Sequence, residues 1–120
     1  MEKTTITIDG KEYILKSSVE NEQKIKSLPI IEGTPYKIGG KYLIRTITMI
    51  YTGQLVNLYS KELILKTCAW IPDTGRWKEA VEKGTFNEVE PYPIDSEVII
   101  NRDVILDVCL LNYELPKNQK

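Results

Sequence analysis

Thirteen lysines but only three arginines occur in this chain, and each arginine stands in a compact polar cluster. Arg45 opens Arg45-Thr46-Ile47-Thr48 within an apolar run, Arg76 closes Asp73-Thr74-Gly75-Arg76, and Arg102 lies in Asn101-Arg102-Asp103. A guanidinium holds a phosphate or carboxylate through two parallel N–H bonds, which an ammonium cannot do. One reading is therefore a set of arginines around an anionic ligand. The other is internal pairing, Arg45 with Asp107 and Arg102 with Asp103 or Asp73, serving turns and subunit contacts. Trp70 and Trp77 flank the second cluster and have the shape to stack a base. Trp77 also falls on one helical stripe with Ala80 and Val81, which reads as core, whereas Trp70 stands at a strand end. Asp73-Thr74-Gly75-Arg76 would open that helix. Its free N–H groups and positive dipole end suit a phosphate, and its side chains equally suit a plain helix cap.

Catalytic chemistry finds little to work with. The chain has no histidine, which removes Ser-His-Asp and Cys-His nucleophile systems and histidine-containing zinc sites. Cys68 and Cys109 form no Cys-x-x-Cys and each sits in an apolar strand-like run, as buried free thiols do, with one disulfide as the alternative. Asp107 interrupts the run Val104–Leu111. It is either a buried acid with a raised pKa, fit to be a general base, or a carboxylate on an exposed face or paired with arginine. Glu88, Glu90 and Asp95 show no spacing that singles out a catalytic pair, and a metal site made of carboxylates alone would be weak. No enzyme signature appears, and no cofactor is expected.

The elements that must position these residues are mostly strands. Residues 4–16 read as a hairpin about Asp9-Gly10, and Ser17 or Ser18 caps a short surface helix over 19–27 that Pro29 ends. Residues 29–41 are a loop, and Gly39-Gly40 marks a boundary between an appendage (1–40) and the main fold (41–115). The runs 42–51, 54–59 and 62–71 are rich in β-branched and aromatic residues and are split at Thr52-Gly53 and Ser60-Lys61, which predicts an antiparallel meander. An inserted helix over about 74–83 is capped by Asp73 or Thr74, braced by Glu79 and Lys83, and stopped by Gly84. The Pro-rich loop Glu90-Pro91-Tyr92-Pro93 leads to strands over 97–101 and 104–112, and a polar tail, 116–120, frays. Five strands make a mainly β, small, partly open barrel the natural closure. Ile64 beside Leu63 and Leu65, and Leu106, Val108 and Leu110 beside Ile105 and Cys109, leave strands apolar on both faces. They need a second cover from the hairpin, the helix or a neighbouring subunit, and a homo-oligomer is expected.

At 120 residues, with 42% hydrophobic and 28% charged side chains, the chain is one globular domain. A formal charge of −1 speaks against duplex DNA, whose binding depends on a basic surface. No stretch is long and apolar enough to cross a bilayer and no secretory leader is evident, so a soluble cytoplasmic protein is expected.

The meander resembles that of the Sm and Sm-like (Hfq-like) proteins, ring-forming bent barrels of the SH3-like type. Gly53, Leu55, Leu58, Leu63, Leu65 and Cys68 fall in the order of their first motif, and Val98-Ile99-Ile100-Asn101-Arg102-Asp103-Val104-Ile105 is similar to their second. The likeness covers 42–112 with a long insertion at 70–96. It implies a ring that binds short single-stranded RNA. The loop that carries the uridine-holding Asp and Asn in that family is shortened here to Tyr59-Ser60-Lys61-Glu62, and Asn101-Arg102 replaces its Arg-Gly. The barrel can therefore carry over without the uridine pocket. The chain also looks like a set of small bacterial and phage proteins with Ile44-Arg45-Thr46-Ile47-Thr48-Met49, Thr52-Gly53 and Ala69-Trp70-Ile71-Pro72-Asp73-Thr74-Gly75-Arg76 in common, a likeness that brings no chemistry with it.

Together these observations predict a non-enzymatic oligomer that binds a nucleotide-type ligand between subunits. Such a ligand is a nucleotide second messenger, sequestered as by a phage anti-defence protein, or a short single-stranded RNA. The slight negative charge favours the smaller ligand, since a few arginines suffice for one or two phosphates. The alternative is an assembly protein whose arginines serve only subunit contacts.

Overall fold

The structure is a computed structural model that describes residues 28, 29 and 31–120; the hairpin expected at 4–16 and the helix at 19–27 lie outside them. Strands β1 (Lys41–Thr46), β2 (Ile50–Leu58) and β3 (Glu62–Asp73) are followed by helix α1 (Trp77–Lys83). Strands β4 (Glu88–Pro91), β5 (Val98–Asn101) and β6 (Ile105–Leu111) come next, with a 3-10 turn at Arg102–Val104 between the last two. The antiparallel sheet runs β4-β3-β2-β1-β6, and β5 pairs with β3 beside that path. Because β5 lies on β3 while its continuation β6 lies on β1, the sheet curls into a mainly β, partly open barrel. No helix among the described residues is long and apolar enough to cross a membrane.

Two expectations about the strands change. The first break of the meander falls at 47–49 and not at Thr52-Gly53. There the Thr46 hydroxyl donates to the Met49 carbonyl at 2.8 Å and accepts from the Met49 N–H at 2.9 Å, closing the turn without a glycine. Gly53 lies inside β2, where a Cβ would stand 3.0 Å from the Leu65 side chain; it marks a close approach of strands, not a turn. The second change is a sixth strand, β4, drawn from the segment read as a Pro-rich loop. Pro91 ends it, where a missing N–H costs no ladder bond.

Opposite Gly53 the β2–β3 register slips between Thr52 and Gln54, and Thr67 takes a φ of 51°. A β-branched residue in the left-handed region is rare and strained, and here it forms a bulge that resets the alternation of β3. Before the bulge Leu63 and Leu65 face the barrel interior; after it Cys68 takes that side, and Ala69 and Ile71 face outward. The bend also divides one edge of β3 between two partners, β5 on Glu62–Leu65 and β4 on Ala69–Asp73.

Two cores result. Tyr42, Ile44, Leu55, Leu63, Leu65, Cys68 and Ile100 fill the barrel. Leu43, Ala69, Ile71 and Leu111, on the outer face, are covered by Ala80 of α1 with Phe86, Val89 and Leu115. The second cover predicted from sequence is thus supplied in part by the inserted helix and the C-terminal segment. Gly84, at φ 71°, ends α1 as expected, with Tyr113 packed against it and donating from its hydroxyl to the Ala80 carbonyl at 2.7 Å. Burial pushes the Tyr113 phenol up to about 12. The tail does not fray as expected: Lys120 exchanges both backbone hydrogen bonds with Val89 of β4, each at 2.9 Å.

Thr52 sits fully buried between Leu43 and Ala69 in register, and its hydroxyl has no hydrogen-bond partner. A buried unpaired hydroxyl costs about 1–3 kcal/mol, and valine has nearly the same shape. Thr52→Val should therefore raise stability by about 1 kcal/mol, read as a higher midpoint in urea with an unchanged slope. A lower midpoint would mean the hydroxyl has an acceptor.

Candidate functional site

Beside β6, where the sheet stays open, lies a cavity of about 500 Å³ walled by Tyr36, Tyr42, Arg102, Leu106, Asp107 and Leu110, with Pro35, Ile105 and Val108 completing it. Each wall has a local cause. Gly39 and Gly40 pin the incoming loop to β2 through Gly39 N–H to Leu55 O (2.7 Å) and Leu55 N–H to Gly40 O (2.8 Å). A Cβ at Gly40 would meet Tyr42 and Leu110 at 2.9 and 3.0 Å, so glycine lets the loop cross the end of the barrel. This sets Tyr36 edge-on to Tyr42, centroids 5.6 Å apart, while the Tyr42 hydroxyl accepts from the Lys37 N–H. Burial pushes the Tyr36 phenol up, partly offset by the nearby Arg102 charge.

Arg102 comes from the 3-10 turn that joins β5 to β6. Asn101 caps that turn by accepting from the Asp103 N–H at 2.9 Å. Among the described residues the Arg102 guanidinium donates once, to the Tyr59 carbonyl, and it stands 5.3 Å from the Tyr36 ring centroid. Neither Asp103 nor Asp73, the partners expected for it, pairs with it. Among the described residues, most of its five N–H donors have no acceptor.

Arg45 and Asp107 face each other across β1 and β6. Arg45 donates from Nε to Asp107 Oδ1 at 2.9 Å and from Nη2 to Oδ2, a two-point pair, with the guanidinium 5.0 Å from the Trp77 ring centroid. The internal partner considered from sequence is the one observed, but the pair is exposed rather than set among apolar neighbours. Asp107 is therefore no buried base: the Arg45 hydrogen bonds hold its carboxyl below the usual range, and Asp107 in turn pushes the guanidinium pKa up. Trp77, expected in the core, is 38% exposed and supports Arg45 instead; Ala80 and Val81 alone carry the helix's inward stripe.

The other expected residues gather elsewhere. Asp73 belongs to the end of β3, and α1 begins only at Trp77, with Arg76 at its N-cap position making no side-chain cap. Neither Asp73 nor Thr74 caps the helix. Asp73 accepts from the Gly75 N–H at 2.9 Å and from Asn87, and Thr74 donates to the Gly75 carbonyl, so Asp73-Thr74-Gly75 is a turn clasped on Asn87. Arg76 is exposed with no side-chain partner among the described residues. Thr46 is committed to its turn, Thr48 is exposed, and Trp70 stands across from Tyr51 and Glu90 at the strand pairings. Of the residues in the three arginine clusters and the two tryptophans, only Arg102 lines the cavity. Cys68 and Cys109 are free thiols, and burial drives Cys68 up to about 12. Tyr36 and Tyr42 escaped sequence reasoning; the signal available was Pro35-Tyr36 just ahead of Gly39-Gly40, a stiff aromatic approach to a crossing point.

Comparison with protein-family models, with curated proteins and with solved structures finds no match.

The Asp107 carboxyl, followed by carbon NMR, should titrate below the ordinary aspartate value of about 3.9 and return to it in Arg45→Ala. Since its folded pKa is the lower one, the stability it lends is present above that ordinary value and fades as pH falls through the folded one. The melting-temperature gap between wild type and Asp107→Asn should close over that acid window; a gap that persists below it would have another origin.

Proposed function

We propose that this protein is a non-enzymatic binding module for a small nucleotide-type ligand taken up beside β6, and that it works as a homo-oligomer. The observation that carries the reading is Arg102, a guanidinium whose donors are mostly unspent among the described residues, beside Tyr36 at a cavity of about 500 Å³. That volume lies within the range of small-molecule sites, which combine apolar walls with a few placed polar groups. A phosphate would take the free edge of Arg102, and a planar base would lie against the guanidinium face and the apolar Leu106 and Leu110. One arginine suits one or two phosphates, and the chain's charge of −1 offers no basic track for a longer RNA. A nucleotide second messenger, sequestered by a host or phage protein, fits these limits better than RNA on an Sm-like ring.

A second reading, an assembly protein without a small ligand, draws on a different observation. Ile99 on β5 and Leu106 on β6 are 66% and 65% exposed, on strands whose outer edges have no partner among the described residues. An apolar side chain beside an open strand edge is a surface for a second copy, and it supports the oligomer in either reading.

The purified protein should melt higher in the presence of at least one member of a panel of mononucleotides, cyclic mononucleotides and cyclic dinucleotides, by about 2.7 kcal/mol at one hundred times Kd. Arg102→Ala and Tyr36→Ala should each abolish that shift, and Arg102→Ala should leave the ligand-free melt close to wild type. A flat response to the whole panel, with an intact oligomer by native mass spectrometry that Leu106→Asp dissociates, would establish the assembly reading instead. A wild-type monomer would remove the oligomer from both.

A further inference from the structure

Trp70 takes no part in the cavity beside β6, and its own surroundings on the sheet are of a different kind. Thr52, in register with Leu43, lies with Ala69 and Val89 on the α1 side of the sheet. Side chains alternate along a strand, so Tyr51, Trp70 and Glu90 share the opposite face. On that face Trp70 stands between Tyr51 of β2 and Glu90 of β4, and directly opposed residues have Cβ atoms about 5 Å apart. Tyr92, two residues beyond Glu90, returns to the same face and meets Tyr51 with ring centroids 6.4 Å apart. The indole of Trp70 is 37% exposed. Glu90 is exposed too, and it forms no ion pair among the described residues. Glu88, opposite Asp73 in register, adds charge of the same sign further along β4.

The other tryptophan shows what an indole and a carboxylate hold in this same chain. The Arg45 guanidinium stands 5.0 Å from the Trp77 ring centroid and forks onto Asp107, so the two acceptors share one arginine. Trp70 and Glu90 supply the same two groups, and no arginine among the described residues completes them. We propose that Trp70 and Glu90 form a docking point for an arginine side chain of a partner protein. Its guanidinium lies flat on the indole and forks onto Glu90, while its methylene stem rests on Tyr51 and Tyr92. A lysine answers the charge but is a point donor that neither lies flat nor forks. The carboxylates on this face repel a phosphate, which turns Trp70 from the stacking of a nucleotide base to the holding of a cation. None of these residues lines the cavity beside β6, so the contact stands apart from the nucleotide reading.

The test titrates the full, isotope-labelled chain with acetyl-Gly-Arg-Gly-amide and with its lysine and citrulline counterparts, following the two indole N–H signals by NMR. Citrulline keeps the planar shape of arginine and loses its charge. The Trp70 signal, assigned by its loss in Trp70→Phe, should move saturably with the arginine peptide while the Trp77 signal stays in place. The lysine peptide should bind about threefold more weakly, as the loss of one exposed fork implies, and the citrulline peptide should leave the signal still. Glu90→Gln should weaken the arginine peptide by about the same factor, and Glu90→Lys should abolish its effect, both with a melting temperature close to wild type. Should Trp70→Phe not fold, the Glu90 variants and the three peptides decide alone, since Glu90 is exposed. A Trp70 signal that ignores the arginine peptide, or answers the citrulline peptide equally, overturns the proposal. So does a Glu90→Lys protein that binds the arginine peptide like wild type. A Trp70 signal that moves with protein concentration alone, and is fixed by Arg76→Ala, overturns the assignment of the partner, because the arginine would then belong to a second copy.

Discussion

One sheet with apolar side chains on both faces must be covered twice, and the rest of this structure follows from that demand. Curling the sheet covers one face with itself and encloses Tyr42, Ile44, Leu55, Leu63 and Leu65. The other face is left to whatever the chain inserts or appends, here α1, the segment through Phe86 and Val89, and the stretch through Leu115. The hydrophobic term rewards both coverings equally per unit area, so an insertion between β3 and β4 that would burden a one-sided barrel becomes a structural member here. The open side of the barrel, beside β6, is where the coverings run out and the cavity begins.

That location explains the character of the candidate site. Its polar groups come from places where strands end or turn: Arg102 from the 3-10 turn, and Tyr36 from the loop pinned by Gly39 and Gly40. Regular pairing fixes their backbones, while the incomplete closure leaves their side chains accessible. Rigid placement with open access suits recognition of a small charged molecule.

The sequence was most legible where a side chain's local chemistry and its tertiary role agree. The meander, the two late strands and the stop at Gly84 were readable because alternation, β-branching and a positive-φ glycine mean the same thing locally and globally. Asp107 was readable as a partner of Arg45 because a charge in an apolar strand needs one. Gly53 misled, since a glycine between two strand-like runs looks like a turn and here marks close packing against Leu65; the true turn is closed by Thr46, a residue with no turn signature of its own. Trp77 misled for a related reason. Its spacing with Ala80 and Val81 is helical, but the helix is only two turns long and its first residue projects past the core toward Arg45. Tyr36 and Tyr42 were invisible as site residues because nothing local says that a loop will cross the end of a barrel.

The bulge at Thr67 has a consequence for how this chain can vary in length. Upstream of it, odd-numbered residues of β3 face the barrel interior; downstream, odd-numbered residues lie beneath the helix. Removing Thr67 itself would restore simple alternation with Leu63, Leu65 and Cys68 still facing the barrel and Ala69 and Ile71 still beneath the helix, whereas removing a residue elsewhere in β3 would turn the stretch beyond it to the wrong side of the sheet. Substitutions in β3 trade volume for volume, but a single-residue deletion away from the bulge exchanges the inside of the barrel for the outside. The strand can therefore change length by one residue only at the bulge, and related chains that differ more in size should accommodate the difference in the segments on either side of α1.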